Sequence, residues 1–91
     1  PGLTDAYLNL GSCHAAIGDF EAALEPWERL REVQPDNTSL IHNIALANAR
    51  LGRLDTAIAE FQRAIELDPD NPASRRELAR AQARQRGSQV P

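Results

Sequence analysis

The sequence predicts an all-α chain, an α-α superhelix of helical hairpins with about five antiparallel helices. Three observations predict it. The chain repeats itself every 34 residues, apolar residues recur at helical intervals, and glycine and proline fall at matching places in each repeat.

The period is visible in Pro1, Pro35 and Pro69, in Gly18 and Gly52, in Asn9 and Asn43, and in Ala23 and Ala57. Laying residues 4–37 over 38–71 gives ten identities, where unrelated segments of ordinary composition share about two. Other pairs keep their character: Leu10 with Ile44, Leu24 with Ile58, Trp27 with Phe61 and Val33 with Leu67.

Each unit reads as two helices. The first places them near 5–17 and 20–33, about a turn at Gly18-Asp19. The second places them near 39–51 and 54–67, about Gly52-Arg53. Glycine ends a helix by taking the left-handed conformation that a Cβ disfavours, and Asp19 is placed to cap the helix that follows. Pro35 and Pro69 stop the second helix of each unit, because proline disfavours helical geometry in the residue before it. Asn71-Pro72 reads as a cap followed by proline in the first helical position, opening a fifth helix near 72–86. The organisation is then the end of a preceding loop at 1–3, repeats at 4–37 and 38–71, a capping helix at 72–86 and a disordered tail at 87–91. Pro26 lies inside a helix, where the missing N–H and the ring cost about 3 kcal/mol or a kink. The fifth helix offers only Leu78 as a large apolar anchor, helped by Ala79, Ala81 and Ala83, and is expected to fray.

Composition narrows the function classes. The 91 residues allow one domain and a small core. Net charge is −3, which disfavours nucleic acid as a partner. That charge is split: residues 1–71 hold twelve acids and five arginines, while 72–91 hold five arginines and Glu77. No apolar run approaches the roughly 18 residues of a membrane span, so no membrane insertion is expected. A soluble chain follows, with the cytoplasm slightly favoured. Cys13 is the sole cysteine, which excludes an internal disulfide and a cysteine metal cluster. Cys13 and His14 are adjacent and diverge by about 100° on a helix, so they form no nucleophile–base pair. Cys13 is read as a small packing residue and His14 as interfacial packing. No phosphate loop or paired-histidine zinc motif is present. The chain is therefore not expected to be an enzyme, and neither a cofactor nor a metal is expected.

The first unit carries Tyr7-x2-Leu10-Gly11-x2-His14, then Ala23-x3-Trp27, then Pro35. The second carries Ile41-x2-Ile44-Ala45-x2-Asn48, then Ala57-x3-Phe61, then Pro69. In period and packing positions this pattern resembles the tetratricopeptide repeat family over residues 4–71, with 72–86 similar to its closing helix. Tyr7, Leu10, Gly11, Ala23, Trp27, Pro35, Ile44, Ala45, Ala57, Phe61 and Pro69 are then the repeat-packing residues. Small residues stand where helices approach, and large ones where the hairpin needs filling. His14 and Asn48 replace the family's usual Tyr, which implies a weaker contact between successive hairpins.

The resemblance implies a protein-interaction scaffold, with a peptide or partner helix lying in a concave groove lined by the first helix of each unit. The inward residues are then Asp5, Leu8, Asn9, Ser12 and Ala16, followed by Ser39, His42, Asn43, Leu46 and Arg50. The closing helix adds Arg76, Glu77, Arg80 and Arg84. Asn9 and Asn43 have two readings: amides pairing with an extended peptide backbone, or local support and contact with water. His42 is read chiefly as a solvated side chain. Arg76, Arg80 and Arg84 recur every four residues, as a solvated capping face or as an attractor for an acidic peptide or phosphate.

Similar modules that clamp the C-terminal carboxylate of chaperones need particular Lys, Asn and Arg residues. Here Leu8, Ser12, Asn43, Ala73 and Glu77 stand in those places, only Asn43 matches, and a chaperone carboxylate is disfavoured. Two alternatives accompany the scaffold reading. One is self-assembly through an open first hairpin around Tyr7, His14 and Trp27. The other is a substrate-targeting arm of a larger enzyme, such as a glycosyl- or sulfotransferase, by analogy of fold.

Overall fold

The computed structural model describes residues 2–89 and contains five helices: α1 (Gly2–Ala16), α2 (Phe20–Val33), α3 (Thr38–Arg50), α4 (Leu54–Leu67) and α5 (Pro72–Gln89). Helices α2 and α4 coincide with the positions expected from sequence, α3 is shifted by one residue, and α1 and α5 are each extended. The helix of the first unit begins at Gly2, where a loop was expected at 1–3. The closing helix runs on to Gln89, through part of the expected tail. Pro1, Val90 and Pro91 lie outside the described residues.

The helix boundaries follow from local chemistry. Gly18 has φ of 86° and Gly52 of 82°. At the first, Asp19 N–H donates to His14 O at 2.9 Å and Gly18 N–H to Ala15 O at 3.0 Å. At the second, Arg53 N–H donates to Asn48 O at 2.9 Å and Gly52 N–H to Ala49 O at 3.1 Å. These paired bonds satisfy the terminal carbonyls in the Schellman arrangement. Asp19 Oδ1 accepts from Ala22 N–H, Asn37 Oδ1 from Leu40 N–H and Asn71 Oδ1 from Ala73 N–H. Pro35 and Pro69 each sit one residue into a turn, closed by Asn37 N–H to Gln34 O and by Asn71 N–H to Asp68 O.

Successive helices pack on one another, and α3 also touches α5. The result is two layers, α1, α3 and α5 on one side and α2 and α4 on the other, in a body 48 × 29 × 18 Å. Two apolar clusters fill it. Ala23, Leu24, Trp27 and Leu30 of α2 meet Leu40, Ile44 and Ala47 of α3, with Tyr7, Leu8 and Ala15 of α1 at the margin. Ala45 and Ala49 meet Ala57, Phe61 and Ala81, flanked by Leu46, Ile58 and Leu78. Burying Phe61 completely contributes about 2 kcal/mol. Pro26 is accommodated: α2 stays one helix through it, and the ring is buried.

The two hairpins differ where their neighbours differ. Helix α3 has a helix on each side and buries Ile41, Ile44 and Asn48; Asn48 Nδ2 turns back to Ile44 O at 3.1 Å. The equivalent positions of α1 are Tyr7, Leu10 and His14, and among the described residues no helix lies beyond them. Leu10, expected to pack between repeats, is 48 % exposed, while Ile44 is fully buried. Cys13 is exposed and is not a packing residue. Trp27 is not part of that open face, being 4 % exposed and turned inward.

The closing helix is held by more than Leu78. Ser74 and Ala81 are buried, Arg84 donates to Ala49 O at 2.9 Å, and Gln85 bonds Asp55. Ala79 and Ala83 face solvent. On the α2–α4 side, Arg31–Glu60, Arg53–Glu21 and Arg63–Asp36 link the hairpins. The exposed ones contribute at most about 1 kcal/mol each.

Helices α1 and α2 approach closely at Gly11. A Cβ at Gly11 would stand 2.1 Å from Trp27 Nε1 and 2.4 Å from Cε2. The same place in the second hairpin pairs Ala45 with the smaller Phe61. Gly11→Ala should therefore destabilise the chain by about 1–3 kcal/mol in urea unfolding, despite alanine's higher helix propensity. Adding Trp27→Phe, which copies the second hairpin, should recover much of the loss. A neutral Gly11→Ala would show that the indole does not set this spacing.

Candidate peptide-binding groove

Helices α1 and α3 lie in the same layer yet scarcely touch, because each rests on α2 beneath them. The gap is a hollow of about 380 Å³. Its walls are Ser12 and Ala15 from α1 and Asn43, Leu46, Ala47 and Arg50 from α3, and its floor is Phe20 and Trp27 from α2. That size falls within the usual range of ligand sites, and the mix of apolar floor and few polar groups is the usual character of one. A smaller hollow of about 120 Å³ adjoins it between α3 and α5, lined by Leu46, Ala49, Arg50, Glu77, Arg80, Ala81 and Arg84. Leu46 and Arg50 border both.

Each wall has a local cause. Trp27 reaches under α1 because Gly11 leaves room, and its Nε1–H donates to Leu8 O at 3.3 Å. Phe20 opens α2 directly after the turn that Gly18 and Asp19 form. Asn43, Leu46 and Arg50 follow one another at three and four residues, so they share one face of α3.

The expected groove residues therefore separate. Ser12, Asn43, Leu46 and Arg50 are brought together about the larger hollow, and Arg80 and Arg84 about the smaller. Leu8 packs on the first apolar cluster. Asp5, Asn9, Ala16, Ser39 and Arg76 are exposed and line neither hollow. Sequence reasoning did not assign Ala15, Phe20 and Ala47 to the groove, and it assigned Trp27 to repeat packing and to an open self-association face. The available signal was the unequal pairing of Gly11 with Trp27 against Ala45 with Phe61.

His42 departs from expectation. It is half-buried, not solvated, because α5 lies over it. Nδ1 is 3.0 Å from Ser74 Oγ, and the ring meets Phe61 edge-on with centroids 5.6 Å apart. Burial holds its pKa below the usual value, with the Glu77 carboxylate pulling weakly the other way. The arginine stripe is also not uniform: Arg84 serves the end of α3, Arg80 pairs with Glu77 at 3.0 Å, and Arg76 is exposed.

Among the described residues, no helix is long and apolar enough to cross a membrane. The family model described as tetratricopeptide repeat matches residues 10–84. No curated protein matches the chain. Repeats of this family are generally protein–protein interaction modules and are typically non-catalytic scaffolds.

Because folded His42 takes up a proton less readily than the unfolded chain, its contribution to stability is complete above the unfolded pKa of 6.5 and is lost as pH falls through that value toward the lower folded one. Urea unfolding between about pH 7 and 5 should show stability falling with acidification in the wild type and falling less in His42→Gln. Parallel losses in both would remove His42 as the cause.

Proposed function

The chain belongs to the tetratricopeptide repeat family, and from that premise we propose that it binds an extended peptide segment of a partner protein across the α1–α3–α5 face. The observation that carries this reading is the apolar-floored hollow between α1 and α3. A hairpin stack alone does not require such a gap, since the floor is already closed by Phe20 and Trp27. Asn43 stands at its wall, half-buried, and among the described residues its amide makes no hydrogen bond. A side-chain amide offers a donor and an acceptor, which suits the backbone of an extended peptide whatever its sequence. Asn9 presents the same group one helix away, exposed.

Replacing both amides should weaken partner binding by roughly five- to tenfold, about 1 kcal/mol for the lost hydrogen bonds. The check is affinity capture from the source cell with wild type and Asn9→Ala/Asn43→Ala, alongside circular dichroism. Partners retained at equal strength by a folded variant would remove these amides from the binding surface.

A second reading is self-association, favoured by a separate observation. Leu3, Tyr7, Leu10 and His14 follow one another at four- and three-residue intervals along the outer face of α1, Ile17 continues the spacing in the turn after it, and Leu3, Leu10 and Ile17 are 66 %, 48 % and 79 % exposed. The matching face of α3 is buried, so this stripe has the composition of a helix–helix seam. Sedimentation should then show a mass that rises with concentration and is reset to the monomer by Leu10→Glu. A monomer mass at all concentrations would exclude it.

A further inference from the structure

We infer that the partner segment is acidic as well as apolar: a bulky apolar side chain seats in the hollow between α1 and α3, and an aspartate or glutamate within about three positions of it pairs with Arg50. The inference rests on the groove reading above and adds to it the chemistry of the ligand.

Arg50 carries the argument. It is exposed at the rim of both hollows, and among the described residues its guanidinium has no hydrogen bond or ion pair. Its neighbours do not supply the missing anion. Glu77, the carboxylate lining the adjoining hollow, is engaged by Arg80 at 3.0 Å. Arg84 lines that hollow too, so three guanidiniums and one carboxylate surround Leu46 there. This local excess of positive charge lies on a chain whose first 71 residues hold twelve acids against five arginines. An acidic segment is thus drawn to this end of the groove and repelled by the acidic surface that residues 1–71 contribute, which sets the end of the groove it occupies.

The spacing sets the motif. Asn43 and Arg50 are seven residues apart on one helix, about 10 Å along its axis. An extended peptide advances about 3.3 Å per residue, so a backbone held at Asn43 reaches Arg50 about three residues on. The apolar floor lies between them. A guanidinium fork then takes the carboxylate in two parallel hydrogen bonds.

The test is selection from a phage-displayed library of random dodecapeptides on immobilised protein, followed by fluorescence anisotropy of the selected peptides at low salt. Enrichment of sequences pairing a bulky apolar residue with a nearby acid is expected. Their affinity should fall about tenfold or more in Arg50→Glu and little in Arg86→Glu, an exposed position that controls for net charge. Circular dichroism verifies folding of each variant. Peptides that lose affinity in Asn43→Ala but show no acidic enrichment, or are indifferent to Arg50→Glu, would overturn the inference and leave the groove reading standing. Failure to select any peptide, or selection only of peptides indifferent to Asn43→Ala, would overturn both.

Discussion

The contact between Trp27 and Gly11 is the constraint on which the first hairpin depends. An indole placed under α1 demands a residue without a Cβ, and the sequence supplies one. The ring then does three things at once. It closes the first apolar cluster, it spends its N–H on the Leu8 carbonyl, and it forms part of the floor between α1 and α3. In the second hairpin Phe61 meets Ala45, and the hollow between α3 and α5 is smaller and has no aromatic floor. The two hairpins are thus variants of one geometry, tuned by the size of one aromatic ring and one opposing Cβ.

Neighbour order explains most of the remaining asymmetry. Each hairpin buries only part of its apolar surface by itself, and stacking buries the rest. Helix α3 is covered from both sides, and Ile41, Ile44 and Asn48 are inaccessible. Among the described residues, helix α1 presents the same register with a helix on one side only, and Gly11 alone of its residues is buried. The opposite end is finished differently. There α5 turns Ser74, Leu78 and Ala81 inward and covers its outside with arginine, alanine and glutamine. The stack is apolar at one end and polar at the other.

This division also explains what could be read from sequence. Helix ends were legible because their causes are local: Gly18 and Gly52 in the left-handed region, caps at Asp19 and Asn71, prolines in the turns; the Asn37 cap emerges only in the structure. The packing residues Ala23, Ile44, Ala45, Ala57 and Phe61 were legible because their burial follows from the repeat itself. Leu10, Cys13 and His42 were not, because their surroundings depend on which helix lies next to them. His42 sits on the layer expected to face a ligand, but α5 lies over it and offers Ser74. Arg84 was read as part of a stripe that is solvated or attracts an acidic ligand, yet it donates to the Ala49 carbonyl at the end of α3.

The same logic separates residues that hold the fold from residues left for recognition. Carbonyls at the ends of α1 and α3 are satisfied by the glycine turns, and Arg84 reinforces the second. Glu77 is matched by Arg80, Glu60 by Arg31 and Glu21 by Arg53. Asn43 and Arg50 instead line the hollow on the α1-facing side of α3, and among the described residues neither side chain has a partner. The fold gains nothing from an amide and a guanidinium left without partners beside an apolar floor. A ligand that brings a backbone, an apolar side chain and a carboxylate would satisfy all three, and its affinity would come from groups that folding leaves unused.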